Sequence, residues 1–142
     1  MTTTTIDAAV REVRARGLRA SSARRLVLTA LLSAERPVTA EDVARGLGGR
    51  TTPSDLGSVY RNLETLERAG VVRHLRPAHG PSLYTLARED EAGYVTCERC
   101  GELRAADRKA LAGISAALRE ALGYEGAFAS FPIVGVCGSC RA

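Results

Sequence analysis

No stretch of this sequence approaches the roughly 18 consecutive apolar residues of a membrane span. Its opening, MTTTTIDAAVREVR, lacks the charged start and apolar core of a secretory signal. A membrane protein is therefore set aside and a cytoplasmic one expected. Cysteine is scarce, at four in 142 residues; in a reducing compartment a small patterned set points to metal binding rather than disulfides. Histidine is scarcer still, at two residues, His74 and His79. The sequence offers no convergent Ser/His/Asp set, no phosphate-cradling glycine loop and no open metal triad, so an enzyme is not expected.

What is present is arginine, unevenly spread. Residues 1–76 carry 13 Arg against eight acids, a net +5, whereas residues 77–142 carry six Arg and one Lys against eight acids, a net −1. Six of the arginines fall in REVRARGLRASSARR, residues 11–25. Arginines near phosphates release condensed counterions, so the front half has the footprint of a nucleic-acid binder; the plainer reading is a solvated basic surface. The length suits one ordinary domain or two small ones.

The spacing of apolar residues predicts an α+β chain. Ile6, Val10 and Val13 mark a short helix ending near Gly17. Ser21 or Ser22 caps a second, carrying Leu26, Val27, Ala30 and Leu31 inward. TAED at Thr39–Asp42 is a capping-box pattern opening a third, with Val43 and Leu47 inward and Gly48-Gly49 closing it. Ser54 or Asp55 caps a fourth, striped by Leu56, Val59, Leu63 and Leu66 and closed by Gly70. VVRHLR and SLYTLA around PAHGP read as a hairpin. A three-helix core with this hairpin is a winged helix, expected over residues 1–87. After the polar REDEAG come YVTC and ELRAAD, a helix from Asp107 to about Leu122 striped by Leu111, Ile114, Leu118 and Leu122, and a final β-prone run, AFASFPIVGV. Residues 88–142 are expected to form a small α/β domain. So short a segment buries little core, and a metal or a partner subunit is expected to support it.

The cysteines form two knuckles, Cys97-x-x-Cys100 and Cys137-x-x-Cys140, with 36 residues between them. Thiolates at i and i+3 in a turn converge on one centre, and two such turns complete a tetrahedron of soft ligands suited to zinc. Gly101 and Gly138 are candidates for the positive φ that turns amides toward sulfur. The leading reading is a closed structural Zn2+ site, one per chain, with no open position for catalysis. A thiol switch at the same residues stays open, while a thioredoxin-like pair is disfavoured because no βαβ pattern places either pair at a helix start.

In a winged helix the third core helix enters the major groove with its N-terminal residues toward bases and phosphates. Here that helix begins SDLGSVYRN. Tyr60 suits a thymine methyl or base edge and Arg61 a phosphate; the plainer reading makes Tyr60 a packing residue and Arg61 an exposed helical arginine. Taken together, GLRASSARRLVLTALL, TAEDVARGL, DLGSVYRNLETLERAGVV, CERCGEL and GVCGSC resemble the ferric uptake regulator family of bacterial repressors over nearly the whole chain. The resemblance implies a homodimer on AT-rich inverted-repeat promoter DNA, with Arg19, Ser58, Tyr60 and Arg61 as DNA contacts and residues 88–142 as the dimerisation domain; Arg24, in the same arginine-rich run as Arg19, is a further candidate contact.

The resemblance fails at the family's sensory metal site. Ala92, Gly93 and Tyr94 stand where histidines are expected before the first knuckle, and Ala129 stands where another is expected before the second. His74, His79, Glu89 and Glu91 are the remaining candidates for a rearranged site, against the plainer reading of a wing histidine and a solvated acidic linker. The sequence thus reads as a repressor with structural zinc and no ordinary metal switch. A redox-responsive regulator and a protein-interaction module using the winged helix are the alternatives.

Overall fold

The first four helices each start where a small polar side chain satisfies an otherwise orphaned backbone N–H. Thr5 accepts from Ala8 ahead of α1 (Ile6–Ala15) and Ser21 from Arg24 ahead of α2 (Ser22–Ser33). Thr39 and Asp42 close a reciprocal capping box at α3 (Ala40–Ala44). Asp55 accepts from the Ser58 N–H at 2.8 Å to open α4 (Leu56–Arg68). The computed structural model describes residues 5–77, 79–88, 91–128 and 131–142, with the side chains of 91 and 92 left aside.

The chain divides into two compact units, one of Met1–His74 and Ser82–Ala87, the other of Leu75–Pro81 and Arg88–Ala142. In the first, Val13, Val27, Leu28, Val59, Leu63 and Leu66 form the centre of the core. Strands β1 (Val72–Leu75) and β2 (Leu83–Leu86) pair as a two-stranded wing. Val38 joins it through an antiparallel bridge to Tyr84, with N–H···O distances of 3.0 and 2.7 Å. This is a winged helix.

The first unit departs from the sequence expectation in three places. On α2 the fully buried leucine is Leu28, while Leu26 is only half-buried, because the core meets the helix along Val27, Leu28 and Leu31. The third helix stops at Ala44, since Gly46 turns left-handed with φ 85°, and Leu47 falls in a short 3-10 turn, Leu47–Gly49. Leu56 opens α4 on the solvent side of the first turn and is 39% exposed, so the inward stripe starts at Val59.

The second unit is a three-stranded sheet of order β4-β3-β5 with one helix. Strand β3 (Glu91–Cys97) pairs antiparallel with β4 (Leu103–Asp107) and parallel with β5 (Ile133–Gly135). Asp107 caps α5 (Arg108–Leu122), accepting from Ala110 at 2.8 Å, and Gly123 ends it at φ 70°. Gly93 on β3 is closely packed by Leu111 of α5 and by Phe128 beyond it. A Cβ on Gly93 would lie 2.8 Å from the Phe128 carbonyl oxygen and 2.9 Å from Leu111 Cδ1.

Two further expectations change here. Of the stripe Leu111, Ile114, Leu118 and Leu122, only Leu111 is buried, because a three-stranded sheet covers little more than one turn of helix. Cys137 occupies the N-cap position of a short helix, α6 (Gly138–Arg141), without a side-chain capping bond, and Gly138 is helical; of the two knuckle glycines Gly101 alone takes a positive φ, 76°.

Candidate nucleic-acid interface and metal centre

Helix α4 separates its faces cleanly. Val59, Leu63 and Leu66 are 1% exposed or less, whereas Tyr60 is 42% exposed and Arg61 is also exposed. The Tyr60 hydroxyl donates to Glu41 Oε1 on α3 at 2.8 Å. This bond is the main reason that the Glu41 carboxyl is held below the ordinary carboxylate range and the Tyr60 phenol is pushed above its usual value.

A second set of bonds ties α4 to α2. Arg24 Nε donates to Asn62 Oδ1 at 3.2 Å and its Nη1 to the Arg19 carbonyl at 2.6 Å. Asn62 Nδ2 in turn donates to the Ser58 carbonyl at 2.9 Å. Of the five residues expected on DNA, Ser58, Tyr60 and Arg61 share the start of α4, and Arg19 is an exposed residue just before α2. Arg24 is half-buried, with two of its three guanidinium nitrogens engaged inside the protein. The sequence assigns Glu41 no role beyond the capping run of the third helix and Asn62 none beyond the polar start of the fourth. Their partners lie 19 and 38 residues away in the chain, so no local pattern signals them.

Of the four candidate secondary metal ligands, only His74 and His79 have side chains among the described residues. His74 stacks on Tyr84 with ring centroids 4.6 Å apart, and its Nδ1 lies 3.3 Å from Glu67 Oε2. His79 is exposed, while Glu89 and the Glu91 side chain lie outside the described residues. Among the described residues, the four cysteines are the one group of three or more His, Cys, Asp or Glu side chains close enough to share an ion.

Backbone pairing builds that group. Strand β3 ends in Cys97, whose carbonyl accepts from the Gly101 N–H at 2.9 Å across the turn holding Cys100. The Glu98 N–H donates to the Gly135 carbonyl at 2.8 Å, fixing the end of β5 beside this turn, and the Cys137 N–H donates to Cys97 Sγ at 3.3 Å. All four Sγ atoms lie within 4.8 Å of one another, and Cys100 and Cys137 sulfurs are 3.8 Å apart. A tetrahedral ion with metal–sulfur bonds of about 2.3 Å places its sulfurs about 3.8 Å apart, so the donor set fits.

The thiols also compete for charge. Backbone N–H groups of Cys100 and then Cys137 bring the Cys97 thiol down to about 6. Hydrogen bonds from the side chains of Cys137 and Cys100 push Cys140 up to about 12. Four thiols this close ionise together only with a cation between them.

A basic winged helix with an exposed polar face on its third core helix, followed by an α/β unit closed by four thiols, is the architecture of a metal-binding transcription regulator. The ferric uptake regulator family model matches residues 15–129, and the chain belongs to that family. The ferric uptake regulation protein of Neisseria meningitidis is 28% identical over 109 residues, 77% of this chain and 76% of its own length. The ferric uptake regulator of Pseudomonas aeruginosa, solved with manganese, superposes with a TM-score of 0.68 at 28% identity over 90% of this chain and 96% of its own. That of Helicobacter pylori shares the fold, with a TM-score of 0.71 at 18% identity over 100% and 98% of the two chains. The protein is thus a regulator of transcription and not an enzyme.

Proposed function

We propose that this regulator acts as a homodimer that represses promoters by occupying inverted-repeat sites in duplex DNA. The observation that carries the reading is the division of α4, with Tyr60 and Arg61 exposed opposite a fully buried Val59, Leu63 and Leu66. A helix anchored in this way presents one polar edge to a major groove. Tyr60 and Ser58 then read base edges, while Arg61, Arg19 and the remaining Arg24 nitrogen neutralise phosphates. The excess of arginine in residues 1–76 supplies the sequence-independent part of the affinity.

The four cysteines hold one structural Zn2+ per chain. The ion supplies the charge that four clustered thiolates need. Cys97, Cys100, Cys137 and Cys140 supply a closed soft shell, which ties the end of β3 to the segment after β5 and leaves no position for a substrate. A histidine-rich sensory site is not part of the proposal. At Gly93, where the family resemblance calls for a ligand, a Cβ would press on the Phe128 carbonyl and Leu111, and Tyr94 is 5% exposed. Close packing at Gly93 and Tyr94 supports this part of the reading.

The dimer is supported by the second unit's uncovered apolar side chains, among them Leu122 at 68% and Phe131 at 56% exposure. Recovery of bound promoter fragments, with metal analysis of the same purified protein, tests the whole. One zinc per chain and a restricted set of inverted-repeat sites are expected. A second tightly bound metal that raises DNA affinity overturns the sensory part, and salt-independent or absent DNA binding overturns the regulator.

A further inference from the structure

A free tyrosine hydroxyl offers both a donor and an acceptor to a base edge, and so discriminates poorly. Tyr60 is not free in this sense. Its hydroxyl proton is committed to Glu41 Oε1 at 2.8 Å, on an exposed surface of the winged helix. The oxygen's lone pairs remain, so toward a groove Tyr60 is an acceptor only.

Resting on the DNA-binding reading above, we infer that Glu41 is a positioning residue that sets base choice. By fixing the Tyr60 proton it makes the phenol oxygen an acceptor, which selects an exocyclic amino group, adenine N6 or cytosine N4, at the base facing Tyr60. In the major groove those two amino groups are the donors, whereas guanine O6 and N7 and thymine O4 are acceptors. A phenol oxygen without a donor to give meets guanine or thymine lone pair against lone pair.

Glu41 has a second effect of opposite sense. Its carboxylate is the first-turn acid of α3 and borders the surface proposed to meet phosphates. It lowers attraction for any duplex while sharpening the choice among duplexes. Such a residue raises the ratio of specific to non-specific binding by weakening one side and ordering the other. No other carboxylate is bonded to the Tyr60 hydroxyl among the described residues; Asp55, the cap of α4, is committed to Ser58, and Glu64, one turn on from Tyr60, pairs with Arg68.

The test uses full-length, zinc-loaded protein and selection from a random duplex library, followed by affinity measurements on the selected site and on its single-base variants. Wild type is expected to select A or C at one position. Glu41→Ala and Tyr60→Phe each lose about tenfold discrimination at that position, and the double variant loses no more than either alone. Glu41→Gln keeps an acceptor for the phenol proton and keeps the preference, while its affinity for unselected duplex rises. Unchanged base choice in Glu41→Ala, or a loss there that Tyr60→Phe does not share, overturns the inference and leaves DNA binding standing. Failure of wild type to select any sequence overturns the DNA-binding reading itself, and the inference with it.

Discussion

Arg24 on α2 and Asn62 on α4 are joined across 38 residues of chain by a 3.2 Å hydrogen bond from Nε to Oδ1. With a second bond to the Arg19 carbonyl, the guanidinium works as a brace that holds the recognition helix against α2. Arg24→Ala is therefore expected to cost about 1 kcal/mol of stability in urea unfolding, since a half-buried, charge-assisted bond is worth about that much net. Arg19→Ala, at an exposed side chain, should leave stability within about 0.5 kcal/mol. It should instead weaken DNA binding uniformly across sequences and reduce the salt slope by about one.

Removal of the proposed zinc is expected to affect the two units differently. The second unit's buried apolar set is small, with Tyr94, Cys97 and Leu111 among it, so its fold is expected to lean on an ion held by the cysteines at the end of β3 and after β5. Chelation is expected to abolish the protection of β3 and α5 amides from hydrogen exchange while those of α2 and α4 stay protected. Cys97→Ser should reproduce this without chelator, and equal loss in both units would contradict it.

These results also show where the sequence was legible. Caps were legible to within a residue, with Thr39 named outright, Ser21 and Asp55 each one of two neighbours and Asp107 only as a helix start, because each acts on a backbone group three residues on. The cysteine cluster was, because two i, i+3 turns impose convergence before any fold is known. What failed depended on what lies opposite. Leu26 and Leu28 are equally apolar, and only the position of the neighbouring helices decides which is buried. Leu56→Ala should accordingly change stability by less than about 0.5 kcal/mol, and Leu28→Ala should cost about 2–5 kcal/mol through a core cavity. Glu41 looks in sequence like an ordinary first-turn acid, and its partner comes from another helix.

The Tyr60–Glu41 bond also fixes a pH window. Glu41 is lowered, mainly by the Tyr60 bond, so what this bond contributes is present above the unfolded carboxylate value and lost as pH falls through the lowered one. Tyr60 is raised, mainly by the same bond, so its share is present below the phenol's unfolded value and lost as pH rises through the raised one. The bond therefore persists across neutral pH. Ultraviolet titration should show one of the four tyrosines ionising later than in Glu41→Ala, and identical curves would mean the bond is absent in solution.

The last expectation concerns the face of α5 that the sheet does not cover. Leu111 is 5% exposed, while Ile114, one turn on and on the same stripe, is 42% exposed and Leu122 is 68% exposed. An uncovered apolar stripe of this kind calls for an occupant, and a second copy would meet the two-fold symmetry of the proposed inverted repeat. Ile114→Arg with Leu122→Glu removes apolar surface that the isolated chain does not bury, so the variant should fold with little loss of its own stability. It should sediment as a monomer at concentrations where wild type is dimeric. Its affinity for a full inverted repeat should then fall to that for a half-site, because two linked half-site contacts become one. A variant that stays dimeric would place the subunit contact elsewhere on the second unit, with β5 and its exposed Val134 as the next surface to alter.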